Sequence, residues 1–169
     1  GGRVALATAT GQAAEAVAIM TLLEAGDHAV SAATLYGGTH TLLSVNLKKL
    51  GIEATFVDPD DPENFRRAIR PNTRLLYAET LGNPSINVVD IAAIGAIARE
   101  AGVPFVVDNT VPSPYLCRPF EHGADIVVHS ATKYLGGHGT TMGGVIVESG
   151  KFPWGNGKFP GMTTPSPGY

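Results

Sequence analysis

The sequence predicts an α/β fold in which helices lie on both faces of a mostly parallel sheet. Short apolar runs alternate with helix-like stretches along most of the 169 residues. Phe105-Val106-Val107 and Ile126-Val127-Val128 are apolar without alternation, as strands buried on both faces are. Gly26, Gly51 and Gly102 each follow a helix-like stretch, where a terminating glycine belongs.

Taken in order, Val4 to Ala7 reads as a strand, and Thr10-Gly11-Gln12 opens an alanine-rich helix that runs to Glu24 before Ala25-Gly26. His28 to Ala33 is a second strand. A helix from about Thr39 to Leu50 carries Leu43, Leu47 and Leu50 on one stripe. Ile52 to Val57 is a strand, Pro62 to Ile69 a short helix begun by proline, and Arg74 to Ala78 another strand. Ile91, Ile94, Ala98 and Ala101 line a further helix, and Val145-Ile146-Val147 is the last strand after the two continuous apolar runs. From about Gly150 the glycines, prolines and aromatics of Phe152-Pro153-Trp154-Gly155 and Phe159-Pro160-Gly161 predict a long loop. There is no internal repeat.

Composition narrows the function. With 44% hydrophobic and 16% charged residues the chain can bury one sizeable core. A net charge of -3 with scattered basic residues argues against nucleic-acid or membrane-surface binding. The isolated Cys117 excludes an internal disulfide, argues against a thiolate metal cluster and fits a reducing compartment, so a cytoplasmic location is expected. His28, His40, His122, His129 and His138 lack zinc spacing, and no Gly-x-Ser-x-Gly elbow is present, so no metal or serine-triad chemistry is expected. No stretch of 18 apolar residues occurs. The chain opens at Gly1-Gly2-Arg3-Val4 without an initiator methionine and stops at Ser166-Pro167-Gly168-Tyr169 in a loop-like run, which predicts a piece of a longer protein.

Ser130-Ala131-Thr132-Lys133 and Asp108 each follow a buried apolar run, and ligands of open α/β sheets collect at such strand ends. Together they offer an amine for an aldehyde, an acid for a pyridine nitrogen and hydroxyls for a phosphate, which is the set pyridoxal phosphate needs. A carboxylate placed like Asp108 is costly without a cationic or hydrogen-bonding partner. A turn or a helix cap accounts for Asp108-Asn109 equally well. Thr10-Gly11-Gln12 lies at a helix start, where free amides and the helix dipole favour an anion, although capping alone explains it too. Tyr36, before Gly37-Gly38, is placed either to stack on a ring or to sit at a strand edge.

Five motifs in order carry a family resemblance: Ala9-Thr10-Gly11-Gln12-Ala13-Ala14, Leu35-Tyr36-Gly37-Gly38-Thr39, Glu79-Thr80-Leu81-Gly82-Asn83-Pro84, Val107-Asp108-Asn109-Thr110 and Ser130-Ala131-Thr132-Lys133-Tyr134. Across nearly its whole length the chain resembles the Cys/Met-metabolism enzymes that use pyridoxal phosphate. The resemblance implies the aspartate-aminotransferase type of fold, with residues 1–169 forming an incomplete cofactor-binding large domain. It implies that Lys133 carries the cofactor, that Asp108 pairs with its ring nitrogen, and that Tyr36 stacks on the ring; Lys133 and Tyr36 are the catalytic pair. Thr110 supports that arrangement, the Gly11 and Gln12 amides with the Ser130 and Thr132 hydroxyls hold the phosphate, and Asn83 reaches the ring hydroxyl. Glu79 stands behind them.

Within the family, Gly136-Gly137-His138-Gly139-Thr140-Thr141 with the later Phe152-Pro153-Trp154 and Phe159-Pro160-Gly161 is similar to O-acetylhomoserine sulfhydrylases. Gly38 departs from methionine γ-lyases, which are similar here but carry cysteine. The implied reaction is γ-replacement, O-acetylhomoserine plus sulfide giving homocysteine and acetate, in methionine biosynthesis. The alternatives are cystathionine γ-synthase or methionine γ-lyase chemistry, or an inactive cofactor-domain fragment. Similar enzymes take a tyrosine and an arginine from a neighbouring subunit and a carboxylate-binding arginine from a C-terminal domain, and nothing here matches those parts. A homo-oligomer, a tetramer of subunits that share active sites, is therefore expected.

Overall fold

Seven strands, β1 (Val4–Thr8), β2 (His28–Ala32), β3 (Glu53–Val57), β4 (Thr73–Glu79), β5 (Phe105–Asp108), β6 (Ile126–Ser130) and β7 (Gly144–Glu148), form one sheet in a computed structural model that describes residues 1–165. The expectation for Ser166 to Tyr169 lies outside the described residues. Strand order is β1-β7-β6-β5-β4-β2-β3. β7 is antiparallel to both of its neighbours, and every other pairing is parallel. The sheet is thus mostly parallel, as the continuous apolar runs predict.

β2 and β5 are buried at every position and β4 at all but Arg74, so both faces of the centre are covered. Helix α1 (Gly11–Leu22) packs toward β6 and β7 and meets α2 (Gly37–Thr41), while α3 (Glu63–Ala68) and α4 (Ile91–Ala101) pack together against β2, β3 and β5. The core between these layers holds Phe65, Leu75, Leu76, Ile94, Phe105 and Val106, all with no exposed surface. Burying each large side chain contributes roughly 1.5–3 kcal/mol, offset by the ordering of the chain. β1 differs, with Val4 and Leu6 more than half exposed at the sheet edge. Among the described residues no helix is long and apolar enough to cross a membrane.

Three boundaries differ from the sequence expectations. α1 stops at Leu22 instead of Glu24, because Leu23 turns extended and buries its side chain, leaving Gly26 (φ 92°) in the turn before β2. The helix expected over Thr39 to Leu50 starts at Gly37 and changes pitch along its length, with a π turn at Leu42–Asn46 and a 3₁₀ turn at Leu47–Leu50. A short α5 (Ser113–Leu116) follows β5 without any periodic signal in the sequence.

The segment after Gly150 is irregular, as expected, but it is firmly attached. Phe152, Trp154 and Phe159 pack edge to face with ring centroids 4.6 to 5.5 Å apart. Lys158 Nζ donates to the Ala101 carbonyl at 2.5 Å and Asn156 Nδ2 to the Gly102 carbonyl at 3.0 Å, which satisfies carbonyls that the end of α4 leaves open.

α4 itself begins at Asp90, whose side chain accepts the Ala93 N–H at 2.9 Å. Gly95, in its middle, lets the helix approach the turn before β6, since a β-carbon there would lie 2.8 Å from the Gly123 carbonyl oxygen. Helix propensity favours Gly95→Ala by about 1 kcal/mol, whereas overpacking against fixed backbone costs about 1–3 kcal/mol. We expect G95A to lower the urea midpoint of the whole protein; a raised midpoint would show that α4 shifts freely.

Candidate active site

The carboxyl ends of the parallel strands open toward one side of the sheet, and the residues singled out from the sequence gather there. Asp108 ends β5 and Ser130 ends β6; Tyr36 and Asn83 lie in the segments that follow β2 and β4; Gly11 and Gln12 start α1. Gly11, Gln12, Tyr36, Asn83, Asp108, Thr110, Ser130, Thr132 and Lys133 all line one cleft of about 290 Å³, together with Glu15, Glu79, Val111, Tyr134 and Met142.

The phosphate-side wall is made by close approach. A β-carbon on Gly11 would lie 2.5 Å from Ser130 Cβ, so only glycine lets the start of α1 touch the end of β6. Thr10 caps the helix by accepting the Ala13 N–H at 2.9 Å. The Gly11 and Gln12 N–H groups are first-turn donors with no intrahelical acceptor. The Ser130 hydroxyl lies over Gly11. The Thr132 hydroxyl is already engaged, donating to the Gly143 carbonyl at 3.3 Å and accepting the Gly143 N–H at 3.1 Å, so it ties the lysine turn to the start of β7.

Lys133 sits in a tight turn over Ala131–Leu135 that directly follows β6. Its backbone leaves helical angles (φ −90°, ψ −123°), and Gly136 and Gly137 donate back to the Ala131 and Lys133 carbonyls at 2.8 Å. Asp108 is held by Thr110, whose N–H and hydroxyl both donate to Asp108 Oδ1, at 2.8 and 2.5 Å. The same hydroxyl accepts the Ser130 N–H at 2.7 Å, which locks the ends of β5 and β6 together. Glu79 accepts the Tyr36 N–H at 2.5 Å and so fixes the backbone that presents the tyrosine.

Carboxylates dominate the electrostatics. Burial and the neighbouring charge of Asp108 push Glu15 up to about 8, against hydrogen bonding from Thr39. Burial raises Glu79 to about 8 as well, against the Tyr36 N–H. Asp108 is also raised by burial, and the Thr110 bonds oppose the shift. None of the three takes part in an ion pair among the described residues, whose salt bridges all lie elsewhere. A site built this way favours a cationic ligand group next to Asp108.

Sequence reasoning did not single out Glu15 or its partners Thr39 and Tyr77. Tyr77 is fully buried and its hydroxyl donates to Glu15 Oε1 at 3.2 Å; burial and the nearby carboxylates raise it well above its ordinary value. A signal for Glu15 did exist. It lies beside Ala14, Ala18, Ile19 and Leu22 on the buried stripe of α1, the one acid in an otherwise apolar stretch.

Known proteins share this fold. The family model described as Cys/Met metabolism PLP-dependent enzyme matches residues 1–161. The chain is 58% identical to O-acetyl-L-homoserine sulfhydrylase of Leptospira meyeri, covering all of this chain and 38% of that protein. It is 51% identical to homocysteine/cysteine synthase of Saccharomyces cerevisiae, with 100% and 39% covered. It therefore spans about two fifths of the length of these curated relatives. Among solved structures, a putative O-acetylhomoserine (thiol)-lyase from Campylobacter jejuni that contains a pyridoxyl-lysine phosphate superposes with a TM-score of 0.96 at 38% identity, covering all of this chain and 42% of that one. The metB protein of Corynebacterium glutamicum superposes at 0.85 and 38% identity over 88% of this chain and 38% of its own. The α/β fold is that of these enzymes, and the chain belongs to the Cys/Met metabolism family of pyridoxal phosphate-dependent enzymes.

Proposed function

We propose that the protein carrying this chain is a pyridoxal phosphate-dependent transferase that replaces the acetoxy group of O-acetylhomoserine with sulfide, giving homocysteine and acetate in methionine biosynthesis. The observation that carries this reading is the convergence of nine residues, from Gly11 to Lys133, on one cleft. Its donors fit the cofactor: a lysine amine, a buried carboxyl without an ion-pair partner, and first-turn amides beside a serine hydroxyl.

Lys133 would hold the cofactor through Nζ, Asp108 its ring nitrogen, Tyr36 its ring face and Asn83 its ring hydroxyl. Thr110 would brace Asp108, and the Gly11 and Gln12 amides with the Ser130 hydroxyl would hold the phosphate. Thr132 would act on that end mainly by bracing the turn through Gly143. When bound, pyridoxal phosphate supplies the electron sink for negative charge on the substrate α-carbon. Lys133 Nζ, when free, is the base placed to move the α- and β-protons of the amino acid. Asp108 would keep negative charge beside the ring nitrogen, and Tyr36 would pack on the ring face.

The O-acetyl-L-homoserine sulfhydrylase names among the relatives support sulfide as nucleophile and O-acetylhomoserine as acceptor over γ-elimination or transfer of sulfur from cysteine. A homo-oligomer, a tetramer of subunits that share their sites, would account for the exposed Tyr115 (90%) and Leu116 (75%) that follow β5. The free thiol of Cys117 supports a reducing, cytoplasmic location.

In the whole protein, Lys133→Ala should abolish turnover and the borohydride-fixable cofactor absorbance, and survival of either would overturn the assignment of Lys133. Asp108→Asn should lower turnover by about 10²-fold or more, because it removes one partner of a buried charge pair. Assays with O-acetylhomoserine plus sulfide, methionine alone, and cysteine as nucleophile discriminate the reactions; homocysteine should form fastest in the first, and faster turnover in either of the others would displace this reading.

A further inference from the structure

We propose that Glu15 is a positioning residue that shares one proton with Asp108 and thereby sets the charge and orientation of the carboxylate facing the cofactor's ring nitrogen. The inference rests on the cofactor site proposed above and concerns a side chain that the sequence motifs do not single out.

Glu15 is 4% exposed and projects from α1 into the wall of the cleft. Its Oε1 accepts from the Tyr77 hydroxyl at 3.2 Å and its Oε2 from Gln12 Nε2 at 3.0 Å. The Thr39 hydroxyl lies 2.9 and 2.8 Å from the two oxygens and donates to one of them. These donors come from α1, α2 and β4, so Glu15 joins three elements. Asp108 lines the same cleft, and its carboxyl is the acid whose charge and hydrogen bonding act on Glu15.

Two carboxylates in contact and out of water do not both stay ionised, because repulsion adds to the cost of burial. One proton between them removes that repulsion and makes a hydrogen bond. The surroundings place the proton on Glu15. Asp108 receives two bonds from Thr110 on its Oδ1, and hydrogen bonding between the two carboxyls lowers Asp108 while raising Glu15; His129 on β6 is itself held neutral by burial. The other ionisable neighbours are Glu79 and Tyr77 on β4; Glu79 adds negative charge and Tyr77 stays neutral. Glu15 then donates to Asp108, and the pair carries a single negative charge opposite a single cationic ring. Gln12 links the same carboxyl to the start of α1, so the phosphate end and the ring end of the site are coupled through Glu15.

The test uses the whole protein with and without cofactor. Burial raises the Glu15 pKa from 4.5 to about 8, so in the folded state Glu15 keeps a proton that the unfolded chain releases. The stability it contributes is complete below about pH 4.5 and declines as pH rises to about 8. Glu15 adds a fall in the melting temperature of the cofactor-free protein over that window, and Glu15→Gln, with no proton to lose, should remove that fall and leave the contributions of the other buried groups, Glu79, Asp108 and Asp125 in the same direction and His28 and His129 in the opposite one. Glu15→Gln should also retain cofactor binding, since its amide can still donate to Asp108. Glu15→Leu should raise the cofactor dissociation constant by about 10-fold or more. A Glu15→Gln melting profile that superimposes on that of the unaltered protein would refute the shared proton, and a Glu15→Leu protein that binds cofactor undiminished would refute the positioning role. Undiminished binding by Asp108→Asn would instead overturn the ring-nitrogen site on which the inference rests.

Discussion

A carboxylate at the end of a strand buried on both faces is the constraint around which this structure is arranged. Asp108 lines the cleft from the end of β5, and leaving it there without partners would cost several kcal/mol. Thr110 meets part of that cost within the same chain turn, from two residues away. Glu15, on a helix that covers the sheet, lines the same cleft. The remainder is left open toward the cleft, which is why the site favours a cation and why that cation need not come from the protein.

The rest of the fold delivers these groups to one place. The parallel strands β2, β4, β5 and β6 all end on the same side, so the segments that follow them all contribute side chains to a common cleft. Two further contacts hold the ends together. Thr110 bridges β5 to β6 through the Ser130 N–H, and Gly11 lets α1 rest on Ser130. The antiparallel return of β7 closes the arrangement. The turn that carries Lys133 lies on the connection between β6 and β7, and Thr132 fastens it to Gly143 at the far end of that connection.

The carboxylate cluster also explains why the site is more than its motif residues. Glu79 fixes the backbone of Tyr36, and Glu15 ties Gln12, Thr39 and Tyr77 into one network. All of these contacts except that of Gln12, which lies within α1, span the space between elements. Their raised pKa values share one physical origin, removal from water, with repulsion from Asp108 added at Glu15 and Glu79.

Strand identity and the mostly parallel character of the sheet were legible in the sequence, because a strand buried on both faces shows as an unbroken apolar run such as Phe105-Val106-Val107. The five motifs likewise marked the residues that now line the cleft, since the chemistry they offer is local to each motif. Helix ends were less legible: Leu23 left α1 early because burying its side chain outweighed one more helical turn, which is a tertiary effect. The engaged hydroxyl of Thr132 and the role of Glu15 were decided only in three dimensions. A sequence shows which groups a segment carries, whereas the partners of Glu15, 24 residues away at Thr39 and 62 away at Tyr77, are set by how α1 docks on the sheet.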